Sequence, residues 1–596
     1  MTCHRNIVHQ PAVAHPVSLP FVPCIASAIL AIAGVHAETV AAPPSAPRAT
    51  VTPIEHLIVV VGENLSFDNL FATYEPAAGQ SVANLLSRGI VNKDGGPGPR
   101  FAEAAQRQAT VRDRYSVTPP TGAAFTVLPQ PSTNYAKDVP HYALDTRFPA
   151  DLPNGPFRIT RYAPYTAAVG DPVHRFFQMW QQIDGGKKDL FTWVGLTSGE
   201  GSRKRDDPLS STNQGGVAMG FYSMSHGDAP YFRELAQNFA IADNYHQSVM
   251  GGTGANFVAL STGHAAVYLS GAKPAVPPSS QIENPDPRAG TNNWYTHSGY
   301  RSGSYVACAD AMQPGVKTIR DYLATLPYKV FKDGNCAPGS YYLVNNYDTG
   351  YGFDGTPKEL GSARFVVPPQ VAPNIGTALE KANVSWKWYS GGRIGGTIDK
   401  DLYCSICDPL THSTAVMTTL LRRNLQGVDA LFRDLDDEQT LPAVSFVIPP
   451  NPESGHPAYS TVAALERFVM QLVTKAKANP AIWSKTAILV TTDEGGGYYD
   501  SGYVAPVTFF GDGTRIPMIA VSPFAKKGAV SHSYADHTSI AKFIARNWRL
   551  PTLSSRSWDN LSNPAASLAS PYVPTNGPAV GDLFDLFNFR SGGGTS

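Results

Sequence analysis

The amino-acid sequence predicts an α/β fold with a mostly parallel central sheet flanked by helices. Three observations carry this. Apolar runs of five to eight residues recur along the chain, helical or loop segments separate them, and the residues richest in chemistry follow directly on two of the runs. A strand covered by helices on both faces reads as a nearly continuous apolar run, because neither face meets water. With 42% hydrophobic and 10% aromatic residues over 596 positions, the chain has material for a large core. Its 53 Gly and 50 Pro predict long, ordered loops.

The first run, Ile54-Glu55-His56-Leu57-Ile58-Val59-Val60-Val61, predicts a buried strand. Further strands are expected at Val384–Tyr389, Ala443–Ile448, Ala487–Thr492 and Pro517–Val521. Ala255–Leu260 reads as a helix. Thr461–Ala478 has apolar residues at helical spacing and stops at Asn479-Pro480, and Thr538–Trp548 predicts another helix. The stretches 90–170 and 265–375 are irregular and rich in Pro, Gly, Tyr and Asn, as loops or a cap over the strand ends would be, or one small inserted domain.

At the N-terminus, Phe21 to Gly34 is apolar, follows Arg5 with no acid, and leads into Val35-His36-Ala37, so residues 1–37 read as a secretory signal peptide. About fourteen apolar residues are too few for a membrane span, and no later stretch is longer. An Ala/Pro-rich leader at 38–52 then precedes a body expected over 53–596. Removing the signal leaves Cys308, Cys336, Cys404 and Cys407, an even number suited to an oxidising compartment. Sequence order suggests Cys308 with Cys336 and Cys404 with Cys407, among three possible connectivities. Cys404-Ser405-Ile406-Cys407 also has the spacing of half a zinc site, but a second such pair is absent and a structural disulfide is the expectation. Lys+Arg and Asp+Glu both total 47, with no long single-sign block, so nucleic acid is not an expected partner.

Gly62-Glu63-Asn64 and Thr492-Asp493-Glu494 each follow an apolar strand, so the two segments reach the same edge of a sheet. Three carboxylates and an amide placed together repel one another and lose hydration, and a divalent cation resolves that conflict. Taken singly, Glu63 and Asn64 could cap a helix and Asp493-Glu494 could begin a turn. Between these segments Thr253 lies in Met250-Gly251-Gly252-Thr253-Gly254 at the start of a predicted helix, near free backbone N–H groups suited to phosphate. It is a candidate nucleophile that needs a base or a metal, with a helix N-cap as the plainer alternative.

The segments GENLSFDNLFATY, NYHQSVMGGTGAN, SGHPAYS, TAILVTTDEGGGYYDSG and YADHTSIAKFIARNW resemble, in order, the motifs of the bacterial phosphoesterase family. That family holds phospholipases C and secreted acid phosphatases within the alkaline-phosphatase-like superfamily. The resemblance runs from about Ile54 to Phe589. It implies metal ligation by Glu63, Asn64, Asp493 and Glu494, nucleophilic attack by Thr253, and a phosphothreonine intermediate. His174 and His456 match family histidines beside the scissile phosphate, which hold its oxygens or protonate the leaving alkoxide. Asp536-His537-Thr538 also matches, and is read as structural. The oxygen-rich ligand set suits calcium, magnesium or manganese, and a histidine ligand would favour zinc or manganese. The family's phospholipases often carry Pro-Asn-Arg after the nucleophile, where this chain has Gly254-Ala255-Asn256.

The expectation is therefore a bacterial, secreted or periplasmic, metal-dependent phosphoric ester hydrolase acting on a phosphate ester or phospholipid. The alternative is a secreted ligand-binding protein that keeps the fold without turnover.

Overall fold

His56-Leu57-Ile58-Val59-Val60-Val61-Gly62 forms a strand in which every residue is buried, as its continuous apolar character requires. The structure is a computed structural model that describes residues 48–111, 113–198, 215–286, 303–567 and 569–589. The expected signal peptide lies outside the described residues, as does most of the leader. Residues 51 and 52 are tied to the body, where Val51 N–H donates to the Asn547 carbonyl at 2.9 Å.

The central sheet has eight strands: β1 (His56–Gly62), β2 (Ala240–Ala242), β3 (Trp386–Ser390), β4 (Leu425–Gly427), β5 (Val444–Ile448), β6 (Thr486–Thr492), β7 (Met518–Val521) and β8 (Val530–Ser531). Their spatial order is β4-β3-β5-β1-β6-β7-β2-β8. All neighbours pair parallel except β7, which is antiparallel to both β6 and β2. The fold is α/β and mostly parallel, as expected. The four strands expected after β1 are β3, β5, β6 and β7, while β2, β4 and β8 are two- or three-residue strands without a sequence signal.

Alternate strand residues feed two cores. Ile58, Val60, Val447, Ile488 and Val490 face one side, where they meet Leu465, Phe468, Val469 and Leu472 of a long helix. Leu57, Val59, Val61, Phe446 and Leu489 face the other, against Phe257, Leu260, Ile540, Phe543 and Ile544. The helices used below are α1 (Phe67–Phe71), α2 (Phe176–Ile183), α3 (Thr253–Thr262), α4 (Val462–Ala478) and α5 (Thr538–Trp548). Thr461 caps α4 by accepting from Ala464 N–H at 3.2 Å, and the helix ends before Pro480, which cannot continue it without a clash. Truncating a fully buried side chain here, such as Leu472→Ala, costs about 2–5 kcal/mol.

The register of β1 on β6 positions the site. Gly62 lies opposite Thr492, so Glu63 and Asp493 leave the sheet at the same carboxyl edge, and Asp493 N–H donates to the Gly62 carbonyl at 3.0 Å. Strand β5 brings its following loop alongside, where Ser454 O accepts from Glu63 N–H at 2.8 Å. Gly62 must lack a side chain, since a Cβ there would lie 2.5 Å from Leu465 and 2.9 Å from Ser454 O. Cys308 pairs with Cys336 and Cys404 with Cys407, the pairing suggested by sequence order. No helix among the described residues is long and apolar enough to cross a membrane.

Candidate functional site

The seven residues singled out as ligands or catalytic groups gather at the edge formed by β1 and β6: polar links join six of them, and His174 meets His456 ring to ring. Asn64 takes a left-handed backbone, φ 61°, which Asn tolerates better than most residues, and its N–H donates to Asp493 Oδ1 at 3.1 Å. Glu494 N–H donates to the same oxygen at 2.7 Å. Helix α1 is capped by Ser66 instead of Glu63 or Asn64. The capping role open to those two residues is therefore filled elsewhere.

Thr253 is the first residue of α3, with Gly252 in the N-cap position and no side-chain cap bond. The Thr253 hydroxyl instead donates to Glu494 Oε1 at 3.3 Å. The backbone differs from expectation in one respect: Gly254 N–H is taken by Asn346 Oδ1 at 2.7 Å, so it is not free for an anion. Gly252 follows from crowding, since a Cβ there would meet Asn346 Oδ1 at 2.6 Å.

Electrostatics set this edge apart. Glu63, Asp493 and Glu494 are all buried. Burial, then the charges of Asp493 and Asp171, holds Glu63 well above the usual carboxylate range, and the same causes raise Glu494. Asp493 is pushed up to about 6, chiefly by burial, against N–H and hydroxyl donors from Asn64 and Thr253 that lower it. Asn64 Oδ1 and Nδ2, Asp493 Oδ2 and Glu494 Oε2 are buried with no hydrogen-bond partner. Buried polar atoms are normally satisfied, so a concentration of such oxygens on one edge fits a divalent cation, and the donor set suits a hard one. The three carboxylates do not close into a triplet with oxygens inside 4.8 Å of one another. Among the described residues, Glu63 with Cys404 and Cys407, and Asp171 with His174 and His456, do.

His174 precedes α2, and His456 lies in the loop after β5; their rings approach edge-on at 6.3 Å between centroids. His174 Nδ1 lies 2.6 Å from the Pro172 carbonyl and His456 Nδ1 2.5 Å from the Pro457 carbonyl. A carbonyl only accepts, so both Nδ1 atoms carry protons, and in the neutral rings each Nε2 presents a lone pair. His456 Nε2 is 4.0 Å from Glu63 Oε2, and burial lowers the pKa of His456. Either ring must gain a second proton before it can protonate an alkoxide.

Sequence reasoning assigned no role to several residues of this cluster. Asp171 Oδ1 sits 3.6 Å from His174 Nδ1, and Tyr135 donates to Asp171 Oδ2 at 3.0 Å. Tyr459 stacks on His456 at 4.3 Å and its hydroxyl reaches Glu63 Oε2 at 3.5 Å. Cys407 Sγ lies 3.4 Å from Glu63 Oε1. Tyr135 comes from the irregular stretch 90–170 and Asn346 from 265–375, so both stretches reach the site. Spacing offered one signal, the Asp171-Pro172-Val173-His174 placement three residues apart. Asp536 accepts from Thr538 N–H at 2.8 Å, and His537 Nε2 bonds the carbonyl of Thr492, the residue before Asp493, at 3.1 Å.

A mostly parallel α/β sheet carrying an acidic, hydroxyl-bearing site at its carboxyl edge defines the class of protein. The chain belongs to the phosphoesterase family, whose model matches residues 54–551. Among its relatives, hemolytic phospholipase C of Pseudomonas aeruginosa is 23% identical, over 96% of this chain and 61% of that protein. Non-hemolytic phospholipase C of Burkholderia pseudomallei is 29% identical, over 44% of this chain and 39% of that protein. Phospholipase C B of Mycobacterium tuberculosis is 22% identical, over 91% and 79%. The chain thus spans about three-fifths and two-fifths of the first two relatives. A solved structure of a protein in the alkaline phosphatase superfamily from Vibrio parahaemolyticus overlaps 53% of this chain at 9% identity with a TM-score of 0.24, and the fold assignment rests on the sheet alone.

Proposed function

We propose that this chain is a secreted, metal-dependent phosphoric ester hydrolase that works through Thr253. The observation that carries the reading is the Thr253 hydroxyl, bonded to Glu494 at the head of α3 beside buried carboxylates whose outer oxygens lack partners. Glu63, Asn64, Asp493 and Glu494 would hold the cation. Once bound, it supplies the positive charge that keeps these carboxylates ionised and polarises the phosphoester.

Glu494 Oε1 orients the Thr253 hydroxyl and receives its proton as Oγ1 bonds to phosphorus. The alcohol leaves, phosphothreonine remains, and water hydrolyses it to restore Thr253. His174 and His456, when doubly protonated, donate from Nε2 to a phosphate oxygen or to the leaving alkoxide. Burial lowers the pKa of His456, so its doubly protonated form is confined to pH below the usual histidine range and its contribution should fade as pH rises. The names of the relatives support a phospholipid or phosphodiester substrate.

Release of p-nitrophenol from p-nitrophenyl phosphate and from p-nitrophenylphosphorylcholine, with and without chelator, tests the reading. Hydrolysis of the monoester marks a phosphatase, and hydrolysis of the choline diester alone marks a phospholipase C. Loss of either on chelation supports the metal. Inactivity on both at every pH and with every divalent ion sinks the proposal in favour of a non-catalytic binding protein.

A further inference from the structure

The Cys404–Cys407 disulfide has a position that stability does not explain. It spans a sequence separation of 3, against 28 for Cys308–Cys336, so it removes less chain entropy from the unfolded state. It lies against the candidate site instead. Cys407 is fully buried with Sγ 3.4 Å from Glu63 Oε1, and both sulfurs and the Glu63 carboxylate fall within 4.8 Å of one another. A disulfide sulfur carries no proton, so this contact is not a hydrogen bond and leaves Glu63 free to face its other neighbours, Tyr459 and His456. The same loop touches the helix that bears Thr253, for a Cβ on Gly254 would lie 3.6 Å from Ile406 Cβ. Asp408 anchors the loop on the far side, held by Arg393 at 2.5 Å and Tyr403 at 2.9 Å. Cys404 is half-buried where Cys407 is fully buried, so attack by an external thiolate is expected at Cys404.

We propose that this disulfide is a redox-controlled guard of the site: closed, it leaves Glu63 to the acidic cluster; opened, Cys404, Cys407 and Glu63 form a two-sulfur, one-oxygen site for a thiophilic cation such as Zn²⁺ or Cd²⁺. The opening step balances with an external dithiol. Two electrons and two protons pass from it to the chain, the Cys404–Cys407 S–S bond breaks, two protein S–H bonds form, and the dithiol leaves as a disulfide. On ligation each thiol gives its proton to water and the cation takes both sulfurs. Soft thiolates select such cations over the hard ions that suit the carboxylate edge, and three protein ligands with one open position are sufficient for zinc. The consequence for turnover rests on the hydrolase reading; the metal site does not.

The test uses the full oxidised chain. Graded dithiothreitol is removed anaerobically, free cysteines are mapped by alkylation and mass spectrometry, and Cd²⁺ is titrated while the ultraviolet thiolate-to-cadmium absorption is followed. The expected result is one Cd²⁺ per chain only after Cys404 and Cys407 are free, with the band absent from Cys404→Ser/Cys407→Ser and from reduced protein whose thiols are alkylated. Glu63→Gln keeps the band but binds Cd²⁺ roughly tenfold more weakly. A chain with both thiols verified and no band overturns the proposal, as does a band that survives alkylation of the two thiols or an unchanged affinity in Glu63→Gln. Chelator-sensitive hydrolysis without a band removes this site and leaves the hydrolase reading. A band in a chain that hydrolyses nothing in either redox state does the reverse.

Discussion

Asp493→Asn, in metal-free protein, isolates the energetic cost of assembling the acidic edge. Asp493 goes from an ordinary 3.8 to about 6 in the folded chain, chiefly through burial, a rise that corresponds to roughly 3 kcal/mol. A carboxyl raised in this way keeps its proton longer when folded than when unfolded. The folded state then binds more protons, and stability falls as pH rises from about 4 through about 6 before levelling. Glu63 and Glu494, raised well above 4.5, carry the decline to higher pH. The amide keeps an oxygen for the N–H groups of Asn64 and Glu494 but never ionises. At pH 7 and with chelator, Asp493→Asn should therefore exceed wild type in stability by up to about 3 kcal/mol, about 3 °C in Tm for a chain of this size. Cation at one thousand times the wild-type Kd should reverse the order, because wild type gains about 4.1 kcal/mol and a variant that binds too weakly to be loaded gains little. Thermal and urea melts between pH 4.5 and 7.5, with chelator or a divalent salt, measure both. Metal-free wild type that gains stability across this interval, or a variant with the same slope as wild type, would refute the reasoning.

Three further outcomes follow from named contacts. Thr253→Ala should lower kcat by about 10⁴–10⁶ while bound divalent metal, read by elemental analysis, stays unchanged; residual turnover above a hundredth of wild type contradicts its role. Gly496 has φ 59°, and a Cβ there would lie 2.6 Å from Asn64 Cβ, so Gly496→Ala should cost about 1 kcal/mol or more and weaken metal binding roughly tenfold without removing a ligand, as metal titration and melts will show. Arg515 lies buried between Asp500 at 2.9 Å and Asp68 at 3.3 Å, so Arg515→Met should destabilise by about 3–5 kcal/mol in denaturant melts, through two uncompensated carboxylates.

Much of this arrangement is legible from the sequence where one residue's surroundings are set by its own strand. The runs that became β1 and β6 are long and apolar, and the polar residues just beyond them must emerge at strand ends, which is why Glu63, Asn64, Asp493 and Glu494 could be placed together. Pro517–Val521 is legible as a strand but not in direction, because burial on both faces looks the same in antiparallel β7. Ala240–Ala242 and Val530–Ser531 are too short for any periodicity. His174 and His456 rested on resemblance to a family. Their companions Asp171, Tyr459 and Asn346 sit in loops whose courses depend on packing against distant segments, as does the approach of Cys407 to Glu63, which no spacing rule conveys.

The position of β1 has a consequence for how the molecule is made. The earliest strand of the sheet is a central one, and its two partners begin only at Val444 and Thr486. During synthesis this sticky seven-residue segment therefore waits with both edges unpaired while most of the chain emerges. Contacts so distant in sequence form slowly and leave a window for aggregation. Fragments that end before β6 would keep β1 exposed, and they should be recovered mainly in aggregates or bound to a holding chaperone. The acidic edge and its contact with Thr253 come into being only with that late closure, so a nascent chain carries no assembled site.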